Sequence, residues 1–275
     1  MPELPEVEEV RRTLEPFIVG VKVVGARVVR EDFVTVQGEG GKGMQGLVGK
    51  RFVKTWRHGK KLFCVAEDAQ TLVIHLGMSG RVDCLPGAAA VAKHTHVVMS
   101  MESGIEVRLR DPRRFGGLWY YATLAEARAV ELAGLGKDAL EIEVGDLLER
   151  WKGEKGKLKP RLLSQKDVAG LGNIYVDEAL WLARLHPLQR VGRISAGQVE
   201  VLVGAIGKVL RESIEMGGTT LRDYRNAADE AGEFGRKLQA YGRAGKECLR
   251  GGEKLKSAVI AGRTTVFCPR CQKRK

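Results

Sequence analysis

The sequence predicts an α+β fold: a leading helix and a β-sandwich or barrel, followed by a helical domain that ends in a finger-like β-hairpin. Three observations predict it. Between Gly20 and Tyr121, short β-rich runs are separated by Gly, Pro and Asp. From about Ala122 to Gly217 the apolar residues recur at helical spacing, and the last forty residues combine a basic surplus with a Cys-x-x-Cys pair. A change from runs of strands to runs of helices reads as separate domains, and 275 residues fall in the range of roughly 250–300 where a single hydrophobic core stops growing and two smaller ones are expected.

From Glu6 to Val19 the apolar residues Val7, Val10, Leu14, Phe17 and Ile18 share one helical face, with Glu8, Glu9, Arg11, Arg12 and Glu15 on the other, so a helix should begin just after "PELP". The runs "VKVVGARVV", "RFVKTWRHGKKLFCVA", "TLVIHLGM", "THVVMSM", "IEVRLRD" and "GGLWYY" follow at a spacing that suggests a sandwich or barrel. Helical patterns then occupy "LAEARAVELA", "VGDLLERWK", "VDEALWLARL" and "SAGQVEVLVGAIGKVLRESIEMG". The domain limits expected are 1–135, 136–235 and 236–275, with the Gly- and charge-rich stretch from Gly217 to Phe234 a mobile loop inside the second.

Forty-six Lys and Arg against 34 Asp and Glu give a formal charge of +12, which calls for a polyanionic partner. Residues 236–275 carry twelve of those cations and only two acidic residues. Nucleic acid is the leading partner and an anionic membrane surface the second, since no run approaches the ~20 apolar residues of a membrane span. Five cysteines without a regular framework, and no basic-then-apolar leader, indicate a reduced protein of the cytoplasm.

Three stretches carry chemistry. In "CLRGGEKLKSAVIAGRTTVFCPRC", Cys268 and Cys271 form a knuckle with Cys248 upstream, but Gly251 stands where a fourth cysteine would complete a zinc signature. Three thiolates could hold Zn2+ with water or a remote group as fourth ligand, or the hairpin could stand without metal. "AGLGNIYVDEAL" sets glycines ahead of Asn173 at a helix start, where backbone N–H groups favour an anion by about 0.3–1 kcal/mol. Finally, the opening "MPELPEVE" would expose a secondary amine on Pro2 if Met1 is removed.

"PELPEVE", "RHGKKL", "HLGMSGR", "RDPRRFGG", "AGLGNIYVDEALW", "GGTTLRDY", "YGRAG" and "GRTTVFCPRCQ" occur in that order from residue 2 to 272. Together they resemble the bacterial formamidopyrimidine-DNA glycosylase family of base-excision repair. The resemblance implies a helix-two-turns-helix domain behind the sandwich, ending in a zinc finger held by Cys248, Cys268 and Cys271. It also implies that Pro2 is the nucleophile on C1′ of the damaged nucleotide, Glu3 the general acid, Glu6 a supporting carboxylate and Lys60 the catalytic lysine, with Lys61 an adjacent alternative in register. His75, Asn173 and Arg263 would pinch the phosphates beside the lesion, and Met78, Arg113 and Phe115 would fill the space left by the extruded base. Arg114, between the last two, should point to the other face by strand alternation. The stretch "GGTTLRDYRNAADEAGEFG" would cover an extruded 8-oxoguanine.

The implied activity is removal of oxidised purines from damaged double-stranded DNA followed by strand cleavage, by a monomer. The endonuclease VIII branch, which prefers oxidised pyrimidines, is disfavoured by "PELPE", where that branch commonly reads "PEGPE", by the Arg113/Phe115 pair and by the long stretch after Gly217. The other rival is a DNA-binding protein that catalyses nothing.

Overall fold

The computed structural model describes residues 2–37, 43–221 and 224–274. By its contacts the chain forms two units, residues 1–133 with 216–233 and residues 134–215 with 234–275.

In the first unit, helix α1 (Leu4–Ile18) begins two residues before the hydrophobic pattern does, because Pro5 sits in the first turn, where a backbone N–H has no intrahelical partner to lose. Strands β1 (Val23–Val28), β2 (Val34–Val36), β3 (Phe52–His58), β4 (Lys61–Ala66), β5 (Thr71–His75), β6 (Arg81–Pro86), β7 (Thr95–Met101), β8 (Ile105–Arg110) and β9 (Gly117–Tyr121) make two sheets. One has the order β1-β7-β8-β6 and the other β2-β9-β5-β4-β3. Pairing is antiparallel except between β2 and β9.

Val7, Val10, Leu14 and Ile18 of α1 share one core with Leu62, Ile74, Val97, Leu109 and Leu118 from both sheets. The other face of the five-stranded sheet is covered too: Phe63, Val73 and Tyr121 pack on Ala127 of α2 (Leu124–Glu131). That is why β4 is buried from Leu62 to Ala66 instead of alternating.

The second unit holds β10 (Lys137–Asp138), α3 (Val144–Trp151), α4 (Leu158–Leu163), β11 (Val168–Ala169), α5 (Asn173–Leu182) and α6 (Ala196–Glu215), then the hairpin of β12 (Lys256–Ile260) and β13 (Arg263–Phe267). Ser195 and Gln198 cap α6 reciprocally, each side chain accepting from the other's backbone N–H. Val199, Leu202, Ile206 and Leu210 then line its buried stripe against α3 and α5. No helix among the described residues is long and apolar enough to cross a membrane.

One stretch departs from the sequence reading. Residues 216–233, expected to be a mobile part of the helical domain, group with the first unit. Ala227 is buried in the sandwich core, its N–H donating to Thr13 Oγ1 and its carbonyl accepting from Cys84 N. Asn226 closes the turn by accepting from the backbone of Ala228 and Glu230. Composition suggested mobility because the glycines and charges are local, whereas these anchors lie elsewhere in the chain. Arg222 and Asp223, within the stretch expected to cover a lesion, lie outside the described residues.

Candidate functional site

Pro2 is buried immediately ahead of α1, whereas Met1 lies outside the described residues. Glu3 and Glu6 beside it are each 1% exposed. Glu6 Oε2 accepts from Glu3 N at 2.8 Å, its half of a capping box, while Oε1 accepts from Thr219 N at 2.7 Å. A Cβ on Gly218, whose φ is +87°, would lie 3.1 Å from Glu6 Oε1, so this approach requires glycine. Glu6 therefore caps the helix, as its acidic type alone suggested, and also ties the amino end to residues 218–219.

The β3–β4 hairpin turns through Gly59 and Lys60, with glycine at the first central position and φ of +56°. Lys60 sits half-buried at the tip. Lys61 is committed elsewhere: its Nζ donates to the Glu131 carbonyl at 2.8 Å and pairs with the Glu131 carboxylate, which Tyr121 Oη also contacts. This ion pair fastens Lys61 to the end of α2, which sequence register could not show.

His75 ends β5, and its Nδ1 lies 3.2 Å from the Lys60 carbonyl. An acceptor there requires Nδ1 to carry the proton. Burial lowers the His75 pKa, helped by the Lys60 and Lys61 charges and opposed by the Lys60 carbonyl and Glu131. In the neutral ring Nε2 is then an acceptor, and it becomes a donor when the ring gains a proton.

Met78, Arg113 and Phe115 stand on two loops in contact through backbone. A Cβ on Gly77 would meet Phe115 C at 2.3 Å, and one on Gly116 would meet the His75 carbonyl at 2.5 Å. Asp111, fully buried, holds the loops: it accepts from Ser79 Oγ at 2.5 Å, Arg113 N at 3.1 Å and Gly116 N at 2.8 Å. Phe115 is nonetheless 54% exposed, with the Arg113 guanidinium 4.7 Å from its ring centre. Arg114 does turn away, though not by alternation. This segment is a loop, and a left-handed φ of +54° sends Arg114 to Asp32 at 3.2 Å. The sequence reading missed Asp111, whose only local mark is its place heading "DPRRFGG".

In the second unit Asn173 starts α5, and its Nδ2 donates to the Thr264 carbonyl at 2.9 Å, next to Arg263. Arg263 is exposed beside the Ala261–Gly262 turn, whose φ values of +50° and +70° match a type I′ hairpin. Two buried carboxylates of "VDEALW" attach the hairpin region to α5. Asp177 accepts from Val266 N at 2.9 Å and pairs with buried Lys159 at 2.6 Å. Glu178 accepts from the backbone N–H groups of Gln239, Ala240 and Tyr241, each at 2.8 Å. Sequence reasoning treated this motif only as a helix start.

Cys248, Cys268 and Cys271 converge, with their sulfurs all within 4.8 Å of one another. Burial alone would raise the Cys248 thiol, but the Trp181 indole N–H and the Arg250 and Gly251 backbone N–H groups bring it down, while burial raises its neighbour Cys268. Thiols clustered in this way suit a divalent metal, which binds them as thiolates.

Residues 1–118 match the formamidopyrimidine-DNA glycosylase N-terminal domain family, 135–225 the H2TH domain of the same glycosylases and 245–274 the zinc finger found in FPG and IleRS. The chain is 38% identical to formamidopyrimidine-DNA glycosylase of Herpetosiphon aurantiacus, over 99% of its own length and all of the relative's. It is 39% identical to the enzyme of Edwardsiella ictaluri, again over 99% of its length and all of the relative's. Among solved structures, Lactococcus lactis Fpg (MutM) in complex with DNA containing N7-benzyl-Fapy-dG aligns with a TM-score of 0.90 at 33% identity, covering 99% of this chain and all of that one. The same protein with DNA containing an abasic site aligns equally well, with the same identity and coverage.

Proposed function

Because the chain belongs to the formamidopyrimidine-DNA glycosylase family, whose members are DNA glycosylases and AP lyases, we propose that Pro2, freed by loss of Met1, performs both steps on an oxidised purine in duplex DNA. The observation that carries this reading is a proline buried at the head of α1 beside two buried carboxylates. An α-amino group with a pKa of about 7.7–8.0 offers an uncharged fraction at neutral pH that a lysine near 10.4 does not.

The Pro2 nitrogen lone pair bonds to C1′ and the purine departs with the glycosidic electron pair, taking up a proton from solvent. The bound nitrogen then loses its proton, and as Glu3 protonates the ring oxygen and the C1′–O bond breaks, the nitrogen lone pair forms a cationic iminium. That cation draws off the electrons released when protons leave the sugar carbons, and the two flanking phosphates depart in turn. Glu6 supports the machinery by holding the Glu3 backbone.

His75, Asn173 and Arg263 serve as phosphate contacts, which set register and help to offset the few kcal/mol of unstacking. Met78, Arg113 and Phe115 enter the vacated stack, and Asp111 keeps their loops ordered before DNA arrives. Residues 217–235 cover the extruded base, with Glu6 anchoring their start. The enzyme acts as a monomer in the cytoplasm, where bacterial DNA resides.

Zn2+ held by Cys248, Cys268 and Cys271 would cross-link the finger and leave Arg263 on its hairpin; it takes no part in the covalent steps. A duplex with 8-oxoguanine opposite cytosine should be cleaved faster than one with thymine glycol; the reverse order would favour the endonuclease VIII reading. Lys60→Ala should reduce excision by about 10²-fold or more. Lys61→Ala should act on stability instead, costing about 3 kcal/mol because Glu131 keeps a buried charge without its ion-pair partner. Melting curves and single-turnover rates on the two variants separate these roles.

A further inference from the structure

Gly251 stands at the mouth of the sulfur cluster. A Cβ built on it would lie 2.7 Å from Cys271 Sγ and 3.5 Å from Cys268 Sγ, so a side chain here would point into the space the three sulfurs share. Its φ is not in the left-handed region, and the backbone therefore does not demand glycine. Among the described residues, no histidine or carboxylate joins the three sulfurs.

The side that lacks a ligand is the accessible one. Cys248 and Cys268 are buried, whereas Cys271 and Gly251 are partly exposed, and a surface cleft lined by Ala183, Arg184, Gln198, Arg270, Cys271 and Lys273 opens beside them. The Arg270 guanidinium donates to the Gly251 carbonyl at 2.9 Å, and its stem passes 3.8 Å from where that Cβ would be. Three thiolates on a divalent ion leave a charge of −1, and the cationic rim suits it.

We propose that this finger binds a divalent thiophilic metal through three thiolates and leaves the fourth coordination position, at Gly251, open to an exogenous ligand: water at rest, or a small nitrogen or sulfur donor from solution. A metal site that keeps one position open exchanges ligands there, whereas a closed four-thiolate site does not. The proposal concerns only the finger and is independent of the covalent chemistry assigned to Pro2.

Cobalt(II) reports the donor set directly, because its d–d bands move to longer wavelength as thiolates replace oxygen or nitrogen donors. The full chain, stripped of metal and kept reduced with a phosphine, is titrated with Co2+ and then with imidazole. One Co2+ per chain, a three-thiolate spectrum and a shift on adding imidazole are expected. Gly251→Cys should give a four-thiolate spectrum that imidazole leaves unchanged, and should retain Zn2+ about 10²-fold more tightly against a chromophoric chelator. The wild-type protein alone suffices to overturn the proposal: no Co2+ uptake, a four-thiolate spectrum, or bands insensitive to imidazole would each do so.

Discussion

A chain that keeps Met1 is expected to excise no 8-oxoguanine and to form no borohydride-trapped adduct with DNA. Within a Met1–Pro2 peptide bond the proline nitrogen is an amide, its lone pair delocalised into the carbonyl, and it has no proton to lose when C1′ is bound. The processed chain should give the adduct. Pro2→Gly retains an α-amine, but a flexible primary one, and its adduct should form on the order of 10²-fold more slowly because the nitrogen is no longer held toward its target. Circular dichroism should show no loss of helix in this variant, since Pro2 precedes the first residue of α1. An adduct that forms equally fast with Met1 in place would mean that another group reacts.

The second large effect concerns stability. Lys159 and Asp177 are both buried, and Lys159→Met leaves the Asp177 carboxylate with the Val266 N–H but without its cation. Breaking such a pair costs about 3–5 kcal/mol, enough to lower the melting temperature by roughly 10 °C or more. Even with Lys159 present, burial pushes the Asp177 carboxyl up to about 6, against the opposing pull of Lys159 and the Val266 N–H. Its folded pKa thus exceeds the ordinary 3.8, so the native state binds this proton more readily than the unfolded chain does. Stability from this group is therefore greatest below about pH 4 and falls as pH rises through about 6. In Lys159→Met the folded pKa moves higher still, and the deficit against wild type should be largest at pH 7.5 and smaller at pH 5. Thermal melts at the two pH values decide the matter; a deficit under 1 kcal/mol at both would remove the pair from the finger's attachment.

The elements legible in the sequence were those whose signal is local. "THVVMSM" is β7 residue for residue, and the Ser195–Gln198 capping pair heads α6 where the helical pattern starts. Strand β6 escaped notice because it reads "RVDCLP": Arg81 and Asp83 pair with each other, which makes a polar stretch compatible with a sheet. Helix α4 escaped because Pro160 looks like a breaker, although in a first turn it is tolerated.

The same division holds at the site. Pro2, Glu3, Lys60 and the three cysteines could be proposed from sequence because each lies in a short ordered motif. Asp111 and Glu131 were not, since Ser79 is 32 residues from the first and Lys61 is 70 from the second, and neither pairing leaves a local trace. Glu178 is a similar case: the three N–H groups it accepts from begin 61 residues downstream. Motifs marked the groups proposed to react, and only the fold showed what holds them.

The most direct test is to reduce the enzyme–DNA intermediate with borohydride, digest it and locate the deoxyribose remnant by peptide mass spectrometry. The account predicts the remnant on the nitrogen of Pro2, in an amino-terminal peptide without Met1. A remnant on Lys60 or any other residue, or on a peptide that still carries Met1, would contradict it.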